Sequence, residues 1–140
     1  MAKPDGVPLD KDEIGVLGER IAARHLYVHG CRVLYRNFRA PSGGEVDIVA
    51  RHGRILIFVE VKSRTSERFG RPAEAVNLDK QRLISRGALY WLRLLDNRPV
   101  PYRCDIVEVL LEAGKPPRVN WIQSAFTIED TRRGRPRQWT

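Results

Sequence analysis

Several features that define common protein classes are scarce or missing in this chain of 140 residues. It has only two cysteines, Cys31 and Cys104, and their separation matches no metal-ligand spacing, which disfavours a zinc site or a disulfide framework. No apolar run approaches the roughly 18 residues that a membrane-spanning helix needs. Residues 1–12 hold no apolar stretch of the kind found in signal peptides. These absences predict a cytoplasmic protein with reduced thiols and no membrane association.

Acidic residues are also in short supply relative to basic ones. The chain has 17 Asp and Glu against 25 Lys and Arg, which gives a formal net charge of +8. Such a balance favours anionic partners, and nucleic acid is the first of these to consider. The alternative is a basic protein that binds no polyanion. The length suffices for one domain with a single core.

The periodicity of apolar residues predicts one α/β domain with the element order α-β-β-β-α-β-β. Helices are predicted over 13–29 and 78–95, and strands over 31–38, 45–51, 54–63, 102–111 and 119–126. Residues 1–12 are polar and contain proline and glycine, so we expect them to be disordered. The domain is therefore expected over 13–128, followed by a basic tail over 129–140.

The third predicted strand is the most informative segment. Side chains alternate between the two faces of a strand. One face therefore carries Ile55, Ile57, Val59 and Val61, and the other carries Leu56, Phe58, Glu60 and Lys62. Apolar residues on both faces are typical of a central strand that is covered by helices. A carboxylate and an amine at the end of such a strand are costly unless they are paired, hydrated or bound to a metal. A salt bridge between Glu60 and Lys62 in solvent is the alternative interpretation.

The preceding strand supplies a second carboxylate. His52-Gly53 turns the chain back, so the two strands are predicted to pair as a hairpin. In that hairpin, Asp47 falls beside Glu60. Two adjacent carboxylates repel each other unless a cation lies between them. Oxygen ligands suit Mg²⁺ or Mn²⁺, and Lys62 on the same face could contact an attacking water or a phosphate oxygen.

The arrangement of Asp47, a gap of twelve residues and then Glu60-Val61-Lys62 resembles the signature of the PD-(D/E)XK nuclease superfamily. Val46 stands in place of the proline of that signature, which many members also lack. Blocks at 18–23, 36–39, 44–50, 58–64, 69–72 and 74–76 resemble the small bacterial YraN-like family, which is assigned to that superfamily by its likeness to archaeal Holliday-junction resolvases. The resemblance runs from about Gly15 to about Val109. It implies a restriction-endonuclease-like fold, in which helices flank a mixed β-sheet in a three-layer core. It also implies Mg²⁺-dependent cleavage of DNA, with branched or structured DNA as the substrate of a homodimer.

The resemblance also implies roles for individual residues. Asp47, Glu60 and Lys62 are the implied catalytic residues, and Asp47, Glu60 and Glu19 are the implied metal ligands. Glu19 lies off the polar face of the first predicted helix. The alternative for Glu19 is a helix-end acid that pairs with a nearby arginine. Asp105 is a weaker candidate, for which a buried pairing with an arginine is the favoured interpretation.

Basic side chains follow the predicted site and line one face of the second predicted helix. Phosphate contacts of such residues bind nucleic acid without reading its sequence, and no base-reading motif is present. A solvated basic helix face is the alternative. The residues predicted to bind nucleic acid, and DNA in particular, are Arg64, Arg68, Arg71, Arg82, Arg86 and Arg93. Besides a nuclease, the sequence leaves open a non-catalytic nucleic-acid-binding protein and a protein-interaction module.

Overall fold

The computed structural model describes residues 7–65, 77–96, 98–130 and 135–137. Within these residues the elements are α1 (Lys11–Val28), β1 (Cys31–Arg39), β2 (Glu45–His52), β3 (Ile55–Arg64), α2 (Leu78–Leu94), β4 (Tyr102–Leu110), β5 (Arg118–Phe126), β6 (Ile128–Asp130) and β7 (Arg135–Arg137). The predicted α/β class and the order α-β-β-β-α-β-β are confirmed. The sequence predicted only a basic tail after residue 128, whereas β6 and β7 pair antiparallel to each other.

The first five strands form one mixed sheet in the order β1-β2-β3-β4-β5. β1, β2 and β3 are antiparallel neighbours, β4 runs parallel to β3, and β5 returns antiparallel to β4. A parallel pair needs a crossover connection, and α2 lies in the connection between β3 and β4. The mixed sheet that the resemblance implied is therefore confirmed.

The two helices cover opposite faces of the sheet and make three layers. Ala22 and Leu26 of α1 pack in one apolar cluster with Ile57 of β3. Ile84 of α2 packs in the other with Phe58 of β3. Burial on both faces is what the continuous run of apolar residues in β3 predicted. Neither helix of the described residues is long and apolar enough to cross a membrane.

Both helices begin at a side-chain cap. Asp10 and Glu13 form a capping box at the start of α1, in which Glu13 N donates to Asp10 Oδ1 at 2.8 Å and Asp10 N donates to Glu13 Oε1 at 3.2 Å. α1 therefore begins at Lys11, two residues before its predicted start. Those two residues belong to the helix and not to the N-terminal segment predicted to be disordered, and residues 1–6 of that segment lie outside the described residues.

Two glycines allow α2 to pack closely against the start of β2. A Cβ atom on Gly44 would overlap the backbone nitrogen of Gly87, and a Cβ atom on Gly87 would lie 2.9 Å from Cγ2 of Val46. Glycine permits this approach of the two backbones because it has no side chain. The contact places α2 beside the end of β2 that carries Asp47.

Candidate metal centre

A cleft of about 910 Å³ opens at the end of the sheet where β2 begins and β3 ends. Its walls come from the first half of α1, the last residues of β1, β2 near Asp47, the end of β3 and the first turn of α2. The charged lining residues that bear on its chemistry are Glu19, Asp47, Glu60, Lys62, Arg64 and Lys80. The fold thus brings together every residue that was predicted to be catalytic or metal-binding.

Asp47 and Glu60, called the carboxylate pair below, lie side by side at the floor of this cleft. Ile48 is paired with Val59 in the last step of the β2–β3 ladder, which is the register that the sequence predicted. Beyond that step, Oδ2 of Asp47 accepts a hydrogen bond of 2.9 Å from the backbone nitrogen of Val61. The carboxyl group of Asp47 also lies within hydrogen-bonding reach of Glu60. The hairpin therefore positions both acids next to each other on adjacent strands.

The environment of Glu60 disfavours an isolated negative charge. Burial, and then the negative charge of Asp47, raise the pKa of Glu60 to about 8, although Lys80 acts in the opposite direction. Nζ of Lys80 lies 3.5 Å from Oε1 of Glu60. The alternative interpretation, a salt bridge between Glu60 and Lys62, is therefore wrong, because Glu60 pairs with Lys80 instead. A divalent cation would neutralise both acids of the carboxylate pair, and oxygen donors are those that Mg²⁺ and Mn²⁺ prefer.

Glu19 reaches the same cleft from α1. Burial, and then the charge of Asp47, raise the pKa of Glu19, whereas Arg36 lowers it. Nε of Arg36 lies 3.5 Å from Oε1 of Glu19. Glu19 therefore has the arginine partner of the alternative interpretation, and its charge also interacts with that of Asp47. Among the described residues, no three His, Cys, Asp or Glu side chains are grouped closely enough to hold one metal ion. Glu19 therefore lies within electrostatic reach of the carboxylate pair but not in a three-acid cluster with it.

Two cations of β3 extend along the cleft from the carboxylate pair. Lys62 is half-buried, lies on the same strand face as Glu60 and lines the cleft. Arg64 also lines the cleft, and its charge acts on Glu108 of the neighbouring strand β4. Positively charged and negatively charged side chains therefore line the same cleft.

The other arginines that were predicted to bind nucleic acid lie elsewhere or are not described. Arg82, Arg86 and Arg93 are exposed on α2 and do not belong to the described lining of the cleft. Arg82 pairs with Asp79 at 3.5 Å. Arg68 and Arg71 lie outside the described residues.

The sequence did not identify Lys80 and Asn37, which line the cleft, or Glu45, which pairs with Lys80. Lys80 follows the α2 cap, where its backbone nitrogen donates to Oδ1 of Asn77 at 2.9 Å, and its side chain also lies 3.8 Å from Oε1 of Glu45. Asn37 lines the cleft from β1 with a φ of 54°, in the left-handed region that asparagine tolerates better than most residues. A signal was available for Asn37 and Glu45, since both fall in blocks that resemble the YraN-like family.

Asp105 has the structural role that the sequence favoured. Its side chain is fully buried and accepts hydrogen bonds from Nε of Arg103 at 3.0 Å, from Nε1 of Trp121 at 2.8 Å and from the backbone nitrogen of Ser124 at 3.0 Å. It does not belong to the described lining of the cleft. The buried arginine partner is Arg103.

The raised pKa of Glu60 predicts a pH dependence of stability in the metal-free protein. A carboxyl group whose pKa rises from 4.5 to about 8 on folding binds more protons in the folded state between those values, so the free energy of unfolding should fall as the pH rises from about 4.5 to about 8. Glu60→Gln should flatten this decline. Urea unfolding at pH 5 to 8.5 with a chelator present measures both slopes, and equal slopes for the two proteins would contradict the assignment.

Comparisons with known proteins match the sequence of this chain to one protein family. The model described as "Uncharacterised protein family UPF0102" matches residues 18–109. Similar curated relatives include UPF0102 proteins of Geobacter metallireducens (41% identical over 120 residues, 86% of this chain and 97% of the relative) and Symbiobacterium thermophilum (43% over 113 residues, 81% and 95%). Among solved structures, Hjc, a Holliday junction resolvase from Archaeoglobus fulgidus, is 20% identical with a TM-score of 0.39, and the likeness covers 76% of this chain and 75% of that one. This last likeness is too distant to transfer an activity.

Proposed function

The chain belongs to the uncharacterised protein family UPF0102, and we propose that it is a Mg²⁺-dependent endonuclease that cleaves DNA phosphodiesters. The observation that carries the proposal is the carboxylate pair at the floor of a cleft, with Lys62 on the same strand face as Glu60. Acids in this setting favour a divalent cation, and the basic residues beside them favour an anionic substrate. A phosphodiester and its metal ion satisfy both preferences together.

The residues present fit a Mg²⁺ or Mn²⁺ ion. Asp47 and Glu60 would hold it through oxygen alone, with Glu19 near enough to add negative charge or an outer contact. Mg²⁺ commonly binds one or two protein carboxylates and completes its coordination with water and phosphate oxygens. When bound, such an ion polarises the scissile phosphate and lowers the pKa of a coordinated water.

Cationic side chains of the protein would supply the remaining contacts to the attacking water and to the phosphate groups of the substrate. Lys62 would donate a hydrogen bond to the attacking water or to a phosphate oxygen, and so stabilise the negative charge that develops in the transition state. Arg64 would bind the neighbouring phosphate without reading the base. More distant phosphate contacts are proposed for Arg68, Arg71, Arg82, Arg86 and Arg93.

One observation favours a second candidate, a non-catalytic nucleic-acid-binding protein. The ammonium of Lys80 lies 3.5 Å from Oε1 of Glu60, so the carboxylate pair has an internal counterion. A protein of this kind would keep the fold and the basic surface without needing a metal. The two candidates differ in whether bound DNA is cut.

The proposed substrate is branched or otherwise structured DNA, and the proposed active form for a four-way junction is a homodimer. Resolving a four-way junction takes two symmetric cuts, and the part of the chain that the structure describes supplies one carboxylate pair. Two copies related by a two-fold axis are the simplest way to supply both cuts.

The test is a cleavage assay on labelled four-way junction, duplex and single-stranded DNA in competition at fixed salt, with Mg²⁺, with Mn²⁺ and with a chelator, alongside sizing of the free protein. We expect metal-dependent cleavage that favours the junction.

Asp47→Asn should lower the rate of cleavage by about 10²-fold or more, because it removes a metal ligand. Salt-dependent binding without cleavage in either metal would favour the non-catalytic candidate. A junction preference below about threefold, which is less than ~0.7 kcal/mol, from a monomer would reject the resolvase substrate.

A further inference from the structure

Lys80 connects α2 to two strands of the sheet through its side chain. Its Nζ lies 3.5 Å from Oε1 of Glu60 on β3 and 3.8 Å from Oε1 of Glu45 on β2. The Glu60 side chain is 6% exposed, whereas that of Glu45 is 35% exposed. One ammonium group thus bridges a buried and a half-exposed carboxylate at the wall of the cleft.

The buried end of this bridge is one of the proposed metal ligands. A divalent ion on a carboxylate oxygen lies roughly 2.0–2.6 Å from it. An ammonium 3.5 Å from the same oxygen would be in strong repulsion with that ion, in a site where burial weakens screening. Lys80 and a metal ion are therefore competitors for Glu60.

If a metal ion displaces Lys80 from Glu60, the half-exposed carboxylate of Glu45 is still available to pair with it. Glu45 already lies within ion-pair distance, and Oε2 of Glu45 also holds Arg39 at 3.4 Å. Both Lys80 and Arg39 line the cleft. An ammonium that leaves Glu60 and stays near Glu45 remains on the wall of the cleft, where a phosphate group could reach it.

We propose that Lys80 is the counterion of the metal-free carboxylate pair and that metal binding transfers its ammonium from Glu60 to the substrate, where it binds a phosphate. This inference rests on the proposed function, since it takes Asp47 and Glu60 as the metal ligands. It assigns Lys80 a role that differs from that of Lys62, because loading of the metal controls when Lys80 is available. Metal binding and phosphate binding are coupled in this way through one side chain.

The first readout is metal affinity, measured by calorimetry with Mn²⁺ alone. Lys80→Met should bind Mn²⁺ about three- to tenfold more tightly than the wild type, because it removes a competing ion pair. General damage to the fold would weaken metal binding, so the direction of the change distinguishes the two. Lys115→Met is the matched control: Lys115 pairs with Glu112 at 3.7 Å on an exposed turn, and its loss should leave Mn²⁺ affinity unchanged.

The second readout is the salt dependence of DNA binding, with Ca²⁺ as a divalent ion that need not support cleavage. The slope of log affinity against log salt changes by about 0.9 for each phosphate contact on duplex DNA. The wild type should show a slope steeper than that of Lys80→Met by about this amount with Ca²⁺, and an equal slope with a chelator. Lys80→Arg should restore the difference, since a guanidinium also binds phosphate.

The outcomes separate this inference from the proposed function. Suppose that the wild type binds Mn²⁺ and that the folded Lys80→Met protein binds Mn²⁺ equally tightly or more weakly. This result would overturn the proposed role of Lys80 and leave the proposed function standing. Equal salt slopes for the wild type and Lys80→Met with Ca²⁺ would overturn the transfer of Lys80 to phosphate. A wild type that binds no divalent ion would overturn the proposed function and this inference together.

Discussion

Lys62→Ala is expected to lower the single-turnover rate of DNA cleavage by about 10²- to 10³-fold, because it removes a positioned charge from the developing transition state. The fold and the DNA affinity should change little, since Lys62 is half-buried and one phosphate contact among several is lost. Rates with saturating Mg²⁺ and binding measured in a chelator give the two quantities separately.

A matched control is available in the same chain. Lys115→Ala removes the same charge from the exposed turn between β4 and β5 and should cleave at the wild-type rate. Cleavage by Lys62→Ala at the unmutated rate would assign the role to another cation of the cleft or reveal a contaminating nuclease. Loss of binding together with cleavage would make Lys62 a DNA-binding residue only.

Asp105→Ala is expected to lower the free energy of unfolding by about 3–5 kcal/mol, the usual cost of removing one partner of a buried ion pair. The substitution leaves the guanidinium of Arg103, whose side chain is 13% exposed, without its carboxylate. It also removes the acceptor of the Trp121 and Ser124 hydrogen bonds. Urea unfolding monitored by circular dichroism measures the change.

Glu112→Ala serves as the comparison, because Glu112 pairs with two exposed cations and its own side chain is partly exposed. Its carboxylate lies 2.8 Å from Arg118 and 3.7 Å from Lys115, and such pairs contribute about 1 kcal/mol or less. An Asp105→Ala protein that was as stable as Glu112→Ala, yet failed to cleave DNA, would return Asp105 to the list of site residues.

Membership of UPF0102 confirms the YraN-like resemblance that six short blocks indicated, and the observed element order confirms the fold class. The roles of Asp47, Glu60, Lys62 and Glu19 stay predictions. What the structure adds to them is proximity: each of the four side chains lines the same cleft.

The sequence by itself determined the local geometry of the hairpin. The faces of β3 followed from the two-residue period of a strand, which put Ile57 and Phe58 in opposite cores. The position of Asp47 beside Glu60 followed from the turn at Gly53, because a tight turn sets the register of the strands that it joins. Both features depend on residues that are close in the chain.

Only the tertiary structure decided which side chains reach the carboxylate pair from elsewhere in the chain. Lys80 pairs with Glu60 because α2 packs against β2 where Gly44 and Gly87 meet, and no local pattern reports that crossing. Glu19 approaches Asp47 because α1 crosses the opposite face of the sheet. Periodicity specifies which face of an element is buried, but the position of one element on another depends on how all of their side chains pack together.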